Sequence, residues 1–152
     1  MISNIKPTIK KKMIAELTKR YGIPKSAFKK FAFVESEHYI YACSKSMDRD
    51  MAAKLNPDRI GLKAVNKDGF MIETDFAQLL DEYITKNVLQ VDSETAKQFV
   101  QGFVINDADF SKLEQGQVIV KYGDYVLGRG YYNGKRVVCH IATARRLKKI
   151  EI

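Results

Sequence analysis

The sequence predicts an α+β chain in two parts: a mixed α/β first part over residues 1–87, then a small β-barrel-like second part over 88–152 with one early helix. Three observations lead there. Apolar residues fall at helical spacing between Ile9 and Tyr21, and short aromatic and β-branched runs separated by turns follow them. From Phe103 onward the pattern is strand and turn alone.

Pro7 suits a first helical position, and Ile9, Met13, Ile14, Leu17 and Tyr21 then fall along one side until Gly22 stops the helix. Pro24 opens a short turn through Ala27, Phe28 and Phe31. Phe31–Val34 and His38–Cys43 read as a hairpin around Glu35-Ser-Glu37. Ser46–Leu55 reads as helix, broken by Asn56-Pro57-Asp58. Arg59–Val65 alternates as a strand and Asn66–Gly69 turns the chain. Thr74 or Asp75 caps a helix to about Thr85 through Phe76, Leu79, Leu80 and Tyr83.

Val88–Val91 is a strand, and Asp92 or Ser93 caps a helix that ends at Gly102. Val104-Ile105, Val118–Tyr122 and Tyr125–Tyr132 are the next strands, and Val137–Ile141 follows the hairpin signal Asn133-Gly134.

With 152 residues the chain can build one good core or two small ones. Its 45% apolar and 29% charged residues are ordinary for a folded protein and speak against disorder. No apolar run reaches the roughly 20 residues that span a bilayer, and the first residues lack the apolar core of a signal peptide. Only Cys43 and Cys139 could form a disulfide, so a reduced cytoplasmic protein is expected.

The charge is +8 overall and unevenly placed. From Leu127 to Lys149 stand Arg129, Lys135, Arg136, Arg145, Arg146, Lys148 and Lys149 with no Asp or Glu. Through Lys30 the only acid is Glu16, whereas the stretch between these two basic ends is net acidic. Cations concentrated on structured sequence most often meet nucleic-acid phosphates, whose counterions they replace.

Several catalytic patterns fail. A phosphate-binding loop ending in Gly134-Lys135 would need Gly at 129 and Ser or Thr at 136, and both positions hold Arg. Cys139 and His140 are adjacent on a strand and point to opposite faces, a poor geometry for a thiol nucleophile. Two scattered His and two Cys make no zinc site. Asp81-Glu82 and Asp48/Asp50 lack a partner that would mark acid–base work. Neither an enzyme nor a cofactor is expected.

The order of motifs is nonetheless familiar. Arg59-Ile-Gly-Leu-Lys-Ala-Val65, Gly69-Phe70, Val88-Leu-Gln-Val91, Glu94 to Gly102 and the run from Gly116 to Gly130 resemble the carboxy-terminal RNA-binding region of RNA cytosine-C5 methyltransferases of the RsmF and Sun kind. That region is a pre-PUA segment followed by a PUA-like domain. The likeness is best over 59–149 and extends more weakly from Tyr21-Gly-Ile-Pro24 to Ser44. The family hallmark corresponds here to Gly102, Leu127-Gly128-Arg129-Gly130 and Arg145-Arg146. The family shows Asn and Pro before the last basic pair, where this chain has His140-Ile-Ala-Thr-Ala144. The methyltransferase's Gly-rich cofactor loop and its Pro-Cys and Thr-Cys motifs do not occur in the sequence.

The resemblance implies a free-standing, non-catalytic RNA-binding part whose partner is structured RNA, either tRNA or rRNA. It would grip a duplex–single-strand junction between the helix ending at Gly102 and the segment around Arg145. An RNA-modification enzyme or a ribosome assembly factor would be a protein partner. An adaptor in ribosome biogenesis or translation, and a trans-acting subunit of a methyltransferase, are the alternatives. Gly128 and Gly130 let a ligand backbone approach, or else let a small sheet coil tightly. Arg129, Lys135, Arg136, Arg145, Arg146, Lys148 and Lys149 are phosphate candidates. Tyr122, Tyr125, Tyr131 and Tyr132 could stack on bases or pack in the core. Lys10, Lys11, Lys12, Lys19, Lys25, Lys29 and Lys30 either extend the footprint or form the wet side of a helix.

Overall fold

The structure, a computed structural model, describes residues 2–45 and 61–141. The helix expected at Ser46–Leu55, its break at Asn56-Pro57-Asp58, and Arg59-Ile60 lie outside the described residues, as do Arg145, Arg146, Lys148 and Lys149. The chain divides into two units, Met1–Tyr83 and Ile84–Ile152.

In the first unit, β1 (Ser3–Asn4) precedes α1 (Pro7–Tyr21). Pro7 starts the helix, and Gly22 ends it at φ 74° with its N–H donating to Thr18 O. Met13, Leu17 and Tyr21 form its buried stripe. A 3-10 turn at Lys25–Phe28 leads to β2 (Phe31–Glu35), β3 (Tyr39–Ser44), β4 (Leu62–Asn66) and β5 (Met71–Ile72). The five strands form an antiparallel sheet in chain order. Phe28, Phe31, Phe33 and Phe76 pack ring to ring, with centroids 5.5–6.4 Å apart. The apolar residues at 32, 34, 41 and 43 form a smaller cluster.

Among the described residues of this unit, one carboxylate is buried. Glu35 accepts hydrogen bonds from Lys6 N (2.7 Å) and Lys67 Nζ (2.6 Å). Burial pushes its pKa up, but the bonds from Lys67 and Lys6 and their charges outweigh this and hold it below its ordinary 4.5.

α2 is shorter than expected, covering only Thr74–Leu79. Glu73 occupies the N-cap position and makes no side-chain cap, so neither Thr74 nor Asp75 is the cap. Phe76 and Leu80 are buried, whereas Leu79 is exposed. A 3-10 turn at Asp81–Tyr83 replaces the last helical turn, because Asp81 and Glu82 would place two negative charges at the negative helix end.

In the second unit, β6 (Val88–Gln90) runs parallel to β7 (Gly116–Tyr122), and β8 (Tyr125–Tyr132) and β9 (Val137–Cys139) follow antiparallel. α3 (Ser93–Val100) is capped by Asp92, whose Oδ1 accepts from Thr95 N at 2.8 Å. That bond lowers the Asp92 pKa.

Val104-Ile105 is not a strand: a single bridge joins Ile105 to Val137. Among the described residues the sheet has the open order β6-β7-β8-β9, not a closed barrel ladder. Leu89, Phe99, Ile105, Val118, Val120, Val137 and Cys139 form its core. The fold is α+β. Among the described residues no helix is long and apolar enough to cross a membrane.

Candidate nucleic-acid interface

Strand alternation decides which side chains of β8 reach solvent. Gly128 and Gly130 are buried toward the core, on which Leu127 also packs at the bulge opposite Val120/Lys121, and Arg129 and Tyr131 are half-buried on the other side. A Cβ on Gly130 would lie 2.6 Å from Val137 Cγ1, 3.0 Å from Val138 O and 3.6 Å from the Phe99 ring. The space on that face of Gly130 is filled by protein, and Gly128 is buried.

Arg129 shares its face with Tyr131, Gln117 and Val138, which the register aligns across β7, β8 and β9. His140 N donates to Arg129 O at 3.0 Å, which sets the exposed His140 beside that row. The imidazole stacks on Tyr131, with centroids 5.9 Å apart and planes at 21°. Gln117 Nε2 and His140 Nδ1 are hydrogen-bonded at 3.3 Å. Ile119, directly across from Arg129, is fully buried, so the accessible part of this face lies toward Tyr131 and His140.

The loop Asn133–Arg136 is held by its own polar groups. Asn133 Oδ1 accepts from Lys135 N (2.9 Å) and Arg136 N (3.0 Å), Asn133 N donates to Arg136 O (3.1 Å), and Tyr132 OH donates to Gly134 O (3.1 Å). Gly134 takes φ 95°, which favours glycine. Lys135 and Arg136 are exposed, and among the described residues neither has an ion-pair partner.

Gly102, at φ 101°, follows α3, and its N–H donates to Phe99 O at 2.9 Å. Beyond it Phe103 is 60% exposed at a groove of about 380 Å³ shared with Gln98, Val104 and Asn106. The Ile105–Val137 bridge joins this segment to the exit of the Lys135-Arg136 loop.

Among the described residues, the sequence-predicted ones therefore do not share one face. Gly128 and Gly130 point to the core, Arg129 lies on the opposite sheet face, Lys135 and Arg136 sit on the loop, and Gly102 follows the helix that packs on the core side. Among the tyrosines, Tyr132 packs on Phe110 (5.3 Å) and Tyr125 is 73% exposed. Phe103, Gln117 and His140 were not among the predicted contacts. Alternation with the buried Cys139 was the available sign that His140 faces out.

Residues 86–147 match the sequence model of the methyltransferase RsmF PUA domain. Over 86 residues the chain is 31% identical to ribosomal RNA small subunit methyltransferase F of Aeromonas salmonicida (strain A449), covering 55% of this chain and 18% of that protein. The resemblance carried by the motifs is thereby shown, and it lies on the second sheet: residues 86–147 are similar to the PUA domain of RsmF methyltransferases.

Proposed function

We propose that this chain is a non-catalytic, cytoplasmic RNA-binding protein that recognises structured RNA, tRNA or rRNA, in RNA modification or ribosome biogenesis. Residues 1–87 act as the pre-PUA domain and 88–152 as the PUA-like domain. One observation supports this reading best: a self-braced loop carries Lys135 and Arg136 into solvent, runs from the half-buried Tyr131 stacked on the exposed His140, and is tied by the Ile105–Val137 bridge to the segment carrying the exposed Phe103. Cations fix phosphates, and flat rings accept unstacked bases.

Arg129, Arg145, Arg146, Lys148 and Lys149 add phosphate contacts, and Gly102 lets the chain turn into the groove at Phe103. An RNA-modification enzyme or assembly factor is the protein partner in this reading. The test is retention of a stem–loop RNA with a single-stranded tail. Arg145→Glu with Arg146→Glu abolishes retention and leaves the melting temperature nearly unchanged; equal binding by this double variant defeats the site assignment.

A further inference from the structure

The first unit holds a cleft of about 430 Å³ lined by Pro7, Lys10, Lys11, Ile14, Ala15, Lys25, Phe28 and Lys29. Positions 7, 10, 11, 14 and 15 are spaced as one face of α1, separate from the buried stripe of Met13, Leu17 and Tyr21. The 3-10 turn supplies the facing wall. Lysines 10, 11, 25 and 29 stand around it, and among the described residues none of the four has an ion-pair partner.

The cleft is not wholly polar: Pro7, Ile14 and Ala15 give it an apolar floor, sealed beneath by the buried Phe28. Four lysines around an apolar floor, of which Lys10 holds its Nζ 5.9 Å from the Phe33 ring centroid, suit a phosphate ester attached to a flat organic body, whereas a bare inorganic anion would leave the floor unused. The volume fits one nucleotide, within the range of small-ligand sites.

We propose that this cleft binds a nucleotide unit, with its phosphate against Lys10, Lys11, Lys25 and Lys29 and its base or sugar over Ile14 and Ala15. Such a unit can come from an RNA strand or from a free nucleotide. The site lies entirely in the first unit and does not depend on the interface described above.

The test uses the full chain with two photoreactive probes, a ten-nucleotide single-stranded RNA containing 4-thiouridine and 4-thiouridine 5′-monophosphate. Irradiation is followed by peptide mapping. Crosslinks within residues 7–29 are expected, and Lys25→Glu with Lys29→Glu should lower their yield about tenfold or more, since both positions are exposed and phosphate contact is charge-driven. If that variant does not fold, Lys25→Gln with Lys29→Gln replaces it, again with a loss expected. Crosslinks from the RNA that survive excess uridine monophosphate identify a strand; crosslinks from the mononucleotide, or competition by it, identify a free nucleotide. Absence of crosslinks in 7–29 from both probes, or a yield unchanged by the lysine substitutions, overturns the proposal. Crosslinks retained at 7–29 but absent from 103–141 count against the second-unit interface and leave this site standing.

Discussion

Ile105 and Val137 exchange backbone hydrogen bonds of 2.9 and 3.0 Å, and this single bridge joins the segment carrying Phe103 to the loop carrying Arg136. Neither residue touches solvent appreciably. What they do is join two segments distant in the chain, one carrying Phe103 two residues before the bridge and the other carrying Lys135 and Arg136 just before it.

If Lys135 and Arg136 meet phosphates, reversing both should weaken RNA binding for all sequences alike. The slope of log affinity against log salt should fall by about 1.4, at roughly 0.7 per single-strand phosphate contact. Because both side chains are exposed, thermal stability should stay within about 0.5 kcal/mol. Fluorescence anisotropy at several salt concentrations measures this; an unchanged slope removes the loop from the interface.

Phe103→Ala and Tyr131→Ala probe base stacking. Each lost stack should reduce affinity by about 1–3 kcal/mol, with little change in salt dependence because no charge is removed. The two variants report on opposite sides of the loop, so a loss in only one assigns the bases to that side.

Gly130→Ala separates packing from ligand approach. The added methyl meets Val137 Cγ1 at 2.6 Å and the Val138 carbonyl at 3.0 Å, so the second unit should lose about 1–3 kcal/mol through overpacking. The fraction that remains folded should bind RNA as the native chain does. Unchanged stability with lost binding would return Gly130 to the interface.

Glu35 makes the first unit acid-sensitive. Its folded pKa lies below the ordinary 4.5, so its contribution is fully present above that value and is lost as pH falls through the folded pKa. Lys67→Ala removes the 2.6 Å bond and should cost about 1–3 kcal/mol at neutral pH. The gap between the two proteins should narrow on acidification below about pH 4.5. A gap that stays constant on acidification would show that the ion pair is not its source.

Much of the fold was legible because its signals are local. Pro7 and Gly22 bound α1, Asp92 caps α3, and the aromatic runs at 31–35 and 39–44 pair as a hairpin. α2 was read too long because the buried spacing of Phe76 and Leu80 continues the helical pattern, while the adjacent acids at 81 and 82 oppose a further turn. The candidate interface was less legible. Arg129, Lys135 and Arg136 stand out by charge, and the inward turn of Gly128 and Gly130 follows from alternation. Phe103, by contrast, is a lone aromatic after a glycine, and nothing local tells whether it is covered. Its placement through the Ile105–Val137 bridge, like the Tyr131–His140 stack, depends on long-range register.

The most direct measurement is a salt titration of the full chain against a stem–loop RNA with a single-stranded tail. Binding by the displayed cations predicts measurable affinity at low salt and a linear, steep decline with log salt, reduced in the Lys135→Glu, Arg136→Glu protein. No binding at low salt, or an affinity indifferent to salt, would contradict it.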